Sequence, residues 1–460
     1  MKFQPKINIP VSFLTDNGIA RHTFVWRRIN QPERVGVTPV IVPDKPWEAN
    51  CIIARGTSYD ATRDKFRLWY MTYDKFNPSP ESRYLCYAES SDGFRWEKPN
   101  VGQIPYRGSK ENNIVLGNLG GLEPGSGGMD CPNVVEDLDD PNPERRFKFT
   151  TYAWPKDKTG GYFSATSPDG ISWELADEAF LPKKLVGDSN SLFIDHSLEH
   201  PYVSFNRHST MYSLGRRCVY RSHSADFETW TEPELILAPD LDEAPHTEFY
   251  NMSVVKDCGQ YIGLLQTLHT DPLKRPSDIL DVRLAVSEDS FNWKMVGNRA
   301  PFFPAGPSGS FDEKWVYLPP HVTKGGYHPY MFFYDGRSVS HWAVIPTGGI
   351  GAAAMNPGAW CSLSAGNIGG SVETEVFELP STSLTVRNDF SHGGSLSVSL
   401  VFHDDNTEIE ANSLQASHGR IPYSSKIKWE TELSPSFVGR PVSLRFKLKS
   451  TDLYGYVFED

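Results

Sequence analysis

The sequence contains no stretch of about 18 consecutive apolar residues, so it offers no membrane-spanning helix and no membrane partner is expected. The opening residues, Met1 to Pro10, have no apolar h-region, and the chain as it stands is not expected to carry a secretory signal. Basic charge is in short supply: 45 Lys and Arg stand against 57 Asp and Glu, for a net charge of −12. Nucleic acid and anionic membrane surfaces both need a basic footprint, so neither is an expected partner. Cysteine is sparse. Cys51, Cys86, Cys131, Cys218, Cys258 and Cys361 show neither a CxxC pair nor metal-ligand spacing, and read as reduced thiols within strands. These features point to a cytoplasmic protein. HExxH, closely paired histidines and EF-type loops are all missing, and the glycine-rich segment Gly117 to Gly128 lacks any phosphate-binding spacing. No metal and no cofactor is therefore expected. Amphipathic helices longer than two turns are absent as well.

What the chain has is repetition. The pattern S-x-D-x-x-x-W occurs at Ser90/Asp92/Trp96, Ser167/Asp169/Trp173, Ser224/Asp226/Trp230 and Ser287/Asp289/Trp293. Repeats at this spacing point to propellers, solenoids or arrays. Asp makes a tight turn in each copy, and the Trp beyond it packs back onto the preceding sheet. Upstream of each copy lies a short strand that opens on an aromatic, at Phe66, Phe147, Tyr202 and Tyr261, with a fifth at Tyr330. Five such units of about four strands each make a five-bladed β-propeller. Aromatic content of 13% suits such packing.

The texture changes after Gly348 to Gly358, a small-residue stretch read as a connector. Leu396, Val398, Leu400 and Phe402 alternate with mostly polar residues, as do Val442, Leu444, Phe446 and Leu448. Period two of this kind predicts half-buried antiparallel strands and a β-sandwich. The expected organisation is an arm over residues 1–40 packed on the propeller, a propeller over 41–355 and a sandwich over 356–460. The chain is all-β in this reading.

Carboxylates recur at the start of each predicted innermost strand: Glu48, Asp130, Asp188, Glu248 and Asp312. Up to five would converge on one mouth of a funnel. Glycosidic cleavage needs such a set, with a protonated acid for the leaving oxygen and an ionised base or nucleophile on the other face of the sugar. Asp130, Asp188 and Glu248 are the strongest candidates, and Glu48 and Asp312 are weaker. Arg207, His208, His246, Arg337 and His341 are candidates to bind sugar hydroxyls, and Trp69 and Trp315 to stack on a sugar face.

The five-blade count, the Asp/Asp/Glu set on successive inner strands and the C-terminal sandwich resemble the five-bladed propeller glycoside hydrolases. These are the invertase/levanase, levansucrase and arabinanase/xylosidase families. Ser167 to Trp173 and Thr247 to Met252 also resemble poorly characterised members of that superfamily. The resemblance implies a glycosidase acting on a carbohydrate, with Asp130 as nucleophile or base, Asp188 as stabiliser and Glu248 as acid. It allows a calcium ion in the channel without requiring one. The chain lacks the invertase motifs Asn-Asp-Pro-Asn, Arg-Asp-Pro and Glu-Cys, and its carboxylate triplet falls on blades 2 to 4. A non-catalytic carbohydrate-binding propeller and a glycoside phosphorylase or transglycosidase are the competing readings. A sialidase-like reading is weaker: the S-x-D-x-x-x-W copies are one residue shorter than the Asp-box, and no triad of arginines stands out.

Overall fold

The computed structural model describes residues 3–48, 50–73, 83–117, 128–155, 159–207, 216–270, 278–324, 330–340, 348–415 and 424–460; of 391 and 392 it describes the backbone alone. Regular structure in these residues is β apart from two 3-10 turns, at Pro143–Arg145 and Pro435–Phe437. No described helix is long and apolar enough to cross a membrane.

Five four-stranded antiparallel blades form the propeller. Blade I comprises Cys51–Asp60, Lys65–Tyr73, Leu85–Ser90 and Ile114–Leu116. Blade II comprises Met129–Glu136, Phe147–Ala153, Gly161–Ser167 and Glu174–Leu175, and blade III Asn190–Ile194, Tyr202–Arg207, Val219–Ser224 and Glu234–Leu237. Blade IV runs Thr247–Asp257, Gln260–His269, Ile279–Ser287 and Lys294–Met295. Blade V takes Trp315–Tyr317, Tyr330–Arg337 and Gly348–Met355 from its own stretch of chain, and its outer strand, Glu33–Arg34, from the N-terminal segment. All five aromatic strands anticipated from the sequence are second strands. Their rings fill the seams between blades: Phe66 meets Phe333 edge-on at 5.9 Å, and Trp69 meets Phe147 at 5.5 Å.

The S-x-D-x-x-x-W repeat is a turn with a fixed hydrogen-bond set. In blade I, Asp92 Oδ1 accepts from Ser90 Oγ at 3.0 Å and from the amides of Phe94 and Arg95 at 2.8 Å. Asp169, Asp226 and Asp289 repeat the arrangement. The residue after each Asp is left-handed: Gly93, Gly170, Phe227 and Ser290 have φ of 77°, 77°, 68° and 63°. Glycine is obligatory at 170, because a Cβ there would sit 2.4 Å from the Trp69 ring, whose Nε1 donates to the Gly170 carbonyl at 2.7 Å. The repeat tryptophans pack across blade seams in three cases, Trp96 on Phe333, Trp230 on Phe180 and Trp293 on Phe205.

Two expectations are corrected. Gly348–Met355 is a strand and not a connector; its residues are small because space is short, and a Cβ on Gly351 would lie 2.4 Å from the Tyr334 ring. The N-terminal segment is shared between domains instead of lying on the propeller as an arm. Val11–Ser12, Ile19–Thr23 and Trp26–Ile29 pair with strands of the C-terminal sheet. Residues 33–41 instead pair with blade V, where Arg34 Nε donates to the buried Asp312 at 2.7 Å.

The C-terminal unit is built on two long paired strands, Ser383–Phe402 and Pro441–Glu459. Ten residues separate Phe446 from Tyr456, about 33 Å along a straight strand. Their rings are 5.7 Å apart, so the strand folds over and the sheet doubles back on itself. Phe377, paired to the near half at Val442, likewise meets Phe458 of the far half at 5.7 Å. The result is a two-layered sandwich whose core, with Leu384, Leu396, Val398, Leu444 and Tyr456, runs without a break into Phe302, Phe332 and Trp360 at the propeller.

Two expected outcomes test this packing. Arg34→Met strands the Asp312 carboxylate, and unfolding in urea should show a loss of roughly 2–4 kcal/mol, discounted for the part-exposed guanidinium. A loss below about 0.5 kcal/mol would mean the pair does not hold the ring. The second concerns acid. Burial alone would raise the Asp289 carboxyl, but the Asn292 amide and side chain, the Phe291 amide and Ser287 outweigh it and bring it to about 2. A depressed carboxyl stabilises the fold above its unfolded pKa of about 3.9 and loses that contribution as pH falls toward the folded value. The difference in melting temperature between wild type and Asp289→Asn should be constant near neutral pH and close between about pH 4 and pH 2; a gap that persists at the acid end would assign it to geometry alone.

Candidate active site

In each blade the inner strand begins at the same end of the ring where the second strand ends and the third begins. The mouth at that end therefore collects side chains from three strands of every blade. Asp130 is the second residue of the blade II inner strand, Asp188 precedes that of blade III by two, and Glu248 is the second residue of blade IV's. These inner strands are neighbours around the channel.

Each of the three carboxylates faces an arginine. Arg83 Nη1 is 3.3 Å from Asp130 Oδ2. Arg207 at the end of the blade III second strand pairs with Asp188, and Arg217 just ahead of its third strand pairs with Glu248. Arg337 at the end of the blade V second strand pairs with the fully buried Asp335 at 2.7 Å. The arginines lie on aromatic rings. Arg207 and Arg217 sit 4.3 and 5.4 Å from the Tyr250 centroid, Arg337 5.0 Å from Trp315, and Arg55 4.9 Å from Tyr317. Tyr250 in turn meets Trp315 edge-on at 5.4 Å and Tyr317 at 6.2 Å. A guanidinium is weakly hydrated and stacks well on a ring, so such faces let arginine be buried at modest cost.

Bulges aim two of these residues. In the blade I inner strand Ala54 pairs with Tyr70 and Gly56 with Trp69, which leaves Arg55 as the extra residue. In blade IV Phe249 pairs with Thr267 and Asn251 with Gln266, which leaves Tyr250. An extra residue breaks the in-out alternation and re-aims its side chain. Blade II is irregular at the same level, between Asp130 and Asn133, where Cys131 has φ of 45°. Burial, and then the Asp130 charge, raise the Cys131 thiol, which also feels Arg55 and Arg207. Asp130, Arg207 and Asp188, and through Tyr250 also Arg217 and Glu248, thus form one connected group.

The other sequence candidates divide. Glu48 is fully buried and away from this group: it accepts from Lys98 Nζ at 2.7 Å, from the Tyr70 hydroxyl at 2.5 Å and from the amides of Asp44 and Lys45. Asp312 is committed to Arg34, the Tyr334 hydroxyl and Ser310. Both are satisfied structural carboxylates, so the expected convergence of five is corrected to three. His246 is exposed on the turn before Glu248. Trp315 belongs to the mouth, whereas Trp69 is used in the seam between blades I and II. His208 and His341 lie outside the described residues. Among the described residues no three His, Cys, Asp or Glu side chains are grouped as a metal would require.

Arg55, Arg83, Arg217, Tyr250, Tyr317 and Asp335 were not singled out from the sequence. The faint signal for Arg55 is an arginine inside the apolar run Ile52-Ile53-Ala54-Arg55-Gly56. The absence of a visible arginine group is also corrected: the propeller assembles one from residues far apart in the chain.

No protein-family profile matches the sequence, and no curated protein is significantly similar to it. Solved structures do resemble it. BT0996 in its complex with RGII is 16% identical, with a TM-score of 0.51 over 72% of this protein and 93% of that one. A member of the GH130 family of mannoside phosphorylases, a family described as containing hydrolases of β-1,2 mannosidic linkages in Candida mannan, is 18% identical, with a TM-score of 0.50 over 72% and 95%. A glycosyl hydrolase from Bacteroides ovatus is 16% identical, with a TM-score of 0.50 over 72% and 95%. At these identities the likeness establishes the fold, a five-bladed propeller shared with glycoside-acting enzymes.

Tyr250 is the hub of the mouth in this geometry. Tyr250→Leu removes the ring face under two desolvated arginines and should cost about 1–3 kcal/mol, with Tyr250→Phe, which loses only the hydroxyl's bond to Arg207, costing less in chemical denaturation. Equal losses in both variants would transfer the effect to the hydroxyl.

Proposed function

We propose that this protein cleaves glycosidic bonds in an oligo- or polysaccharide, with the three mouth carboxylates as its machinery. Glu248 gives its proton to the leaving glycosidic oxygen as the bond to the anomeric carbon breaks. Asp130 acts from the other face, either activating the water that adds to that carbon or forming the covalent intermediate that water then releases. Asp188, held by Arg207, stabilises the positive charge that develops on the sugar. The observation that carries this reading is the position of Asp130, Asp188 and Glu248 at or just ahead of the starts of three adjacent inner strands, beside the cluster of Tyr250, Trp315 and Tyr317. The rings carry the surrounding arginines, whose N–H groups donate to sugar hydroxyls. A narrow funnel favours terminal sugars over internal linkages.

The test compares wild type and Glu248→Gln on aryl furanosides and pyranosides, neutral and acidic, and on natural oligosaccharides. The variant should lose about 10²–10⁴-fold in kcat/KM at an unchanged melting temperature. Equal activity in the two proteins would move the proton donor to Asp130 or Asp188. A rate that requires inorganic phosphate and yields a sugar phosphate would replace water by phosphate as the acceptor. No turnover by either protein on any substrate would favour a carbohydrate-binding propeller without catalysis.

A further inference from the structure

Of the five arginines described around the mouth, four face a carboxylate: Arg83 faces Asp130, Arg207 Asp188, Arg217 Glu248 and Arg337 Asp335. Arg55 does not. No carboxylate lies within ion-pair distance of it among the described residues, although it feels the charges of Asp130 and Asp335. Its contacts are with neutral groups, the Cys131 sulfur 3.9 Å from Nη2 and the Tyr317 side chain, and its Nε has no partner. Yet Arg55 is only 4% exposed. A buried cation without a counter-ion is costly, and a ligand that brings a negative charge would offset that cost. The bulge in the blade I strand takes Arg55 out of the strand's pairing and sets it over Tyr317 in the mouth's aromatic cluster. Arg207, whose charge reaches the same Cys131 thiol from blade III, leaves its buried Nη1 without a partner as well.

The group that satisfies these donors is an oxoanion, because a guanidinium matches the planar pair of acceptors of a carboxylate and also binds phosphate oxygens. In a glycosidase the group held against these donors is a sugar, and the oxoanion a sugar itself carries is a carboxylate. We infer that Arg55, assisted by Arg207 Nη1, binds the carboxylate of a uronic acid residue, so that the substrate of the proposed glycosidase is an acidic sugar. This rests on the glycosidase reading for its catalytic meaning, but the binding step can be measured without turnover.

The probes are D-glucuronate, D-galacturonate, D-glucose, D-galactose and inorganic phosphate, each titrated by calorimetry into wild type and Arg55→Gln. At least one uronate should bind wild type more tightly than its neutral counterpart, and weaken about tenfold or more in Arg55→Gln. Arg55→Lys, which keeps the charge and loses the fork, should fall between. The comparison of uronate with neutral sugar on wild type needs no variant, and so decides the matter even if Arg55→Gln does not fold. Neutral sugars binding as well as uronates would overturn the inference. So would phosphate binding through Arg55 with no response to uronates, which would make Arg55 a phosphate site. Retained uronate binding in a protein inactive on every glycoside would leave this inference standing while removing the glycosidase reading.

Discussion

A ring of blades exists only if its last blade is joined to its first, and here residues that precede both in sequence reinforce the direct contacts of Phe333 with Phe66 and Trp96. Glu33–Arg34 supplies the outer strand of blade V, and Ile41 bridges to Ile350. Arg34 then reaches inward to Asp312, ahead of the blade V inner strand. Everything at the mouth depends on this joint, since blade V contributes Trp315, Tyr317 and Arg337 while their partners Tyr250 and Arg55 come from blades IV and I. An open ring would keep each blade and lose the contacts between them.

The mouth itself solves a problem of charge burial. Carboxylates on adjacent inner strands would repel one another in a narrow, poorly hydrated funnel, and interleaved arginines remove that repulsion pair by pair. The arginines must in turn be desolvated, and the faces of Tyr250, Trp315 and Tyr317 make this tolerable. Lysine would not serve, because a compact ammonium is strongly hydrated and has no plane to lay on a ring. In the cleft between the N-terminal segment and blade IV, Arg27 answers Asp16 at 2.6 Å and Asn17 answers Glu288 at 3.2 Å.

The architecture was legible in the sequence because its signals are local. The Asp turn closes over two or three residues, and the aromatic that opens each second strand packs at every seam, so both recur at each blade. The three carboxylates were legible for the same reason, each lying at the start of an inner strand. Glu48 and Asp312 share that position along the chain, and what separates them is long-range: Lys98 and Tyr70 claim one, Arg34 and Tyr334 the other. The arginine partners were hidden because pairing such as Arg217 with Glu248 is fixed by the curvature of the ring. Arg55 and Tyr250 were hidden by bulges, since one inserted residue reverses the inside-outside pattern from which a strand's orientation is read.

The shared N-terminal segment also sets an order of events during synthesis. Residues 19–29 leave the ribosome early, yet their strand partners are at 361–364 and 371–374, and the long strand that unites those is 441–459. Blade V cannot be finished before residue 355 emerges, and the sandwich cannot form until the end of that last strand. Blades I to IV must therefore wait as an open arc with exposed edges, a state of high contact order that invites pairing between nascent chains. Newly made protein, more than finished protein, is where this fold is exposed to aggregation.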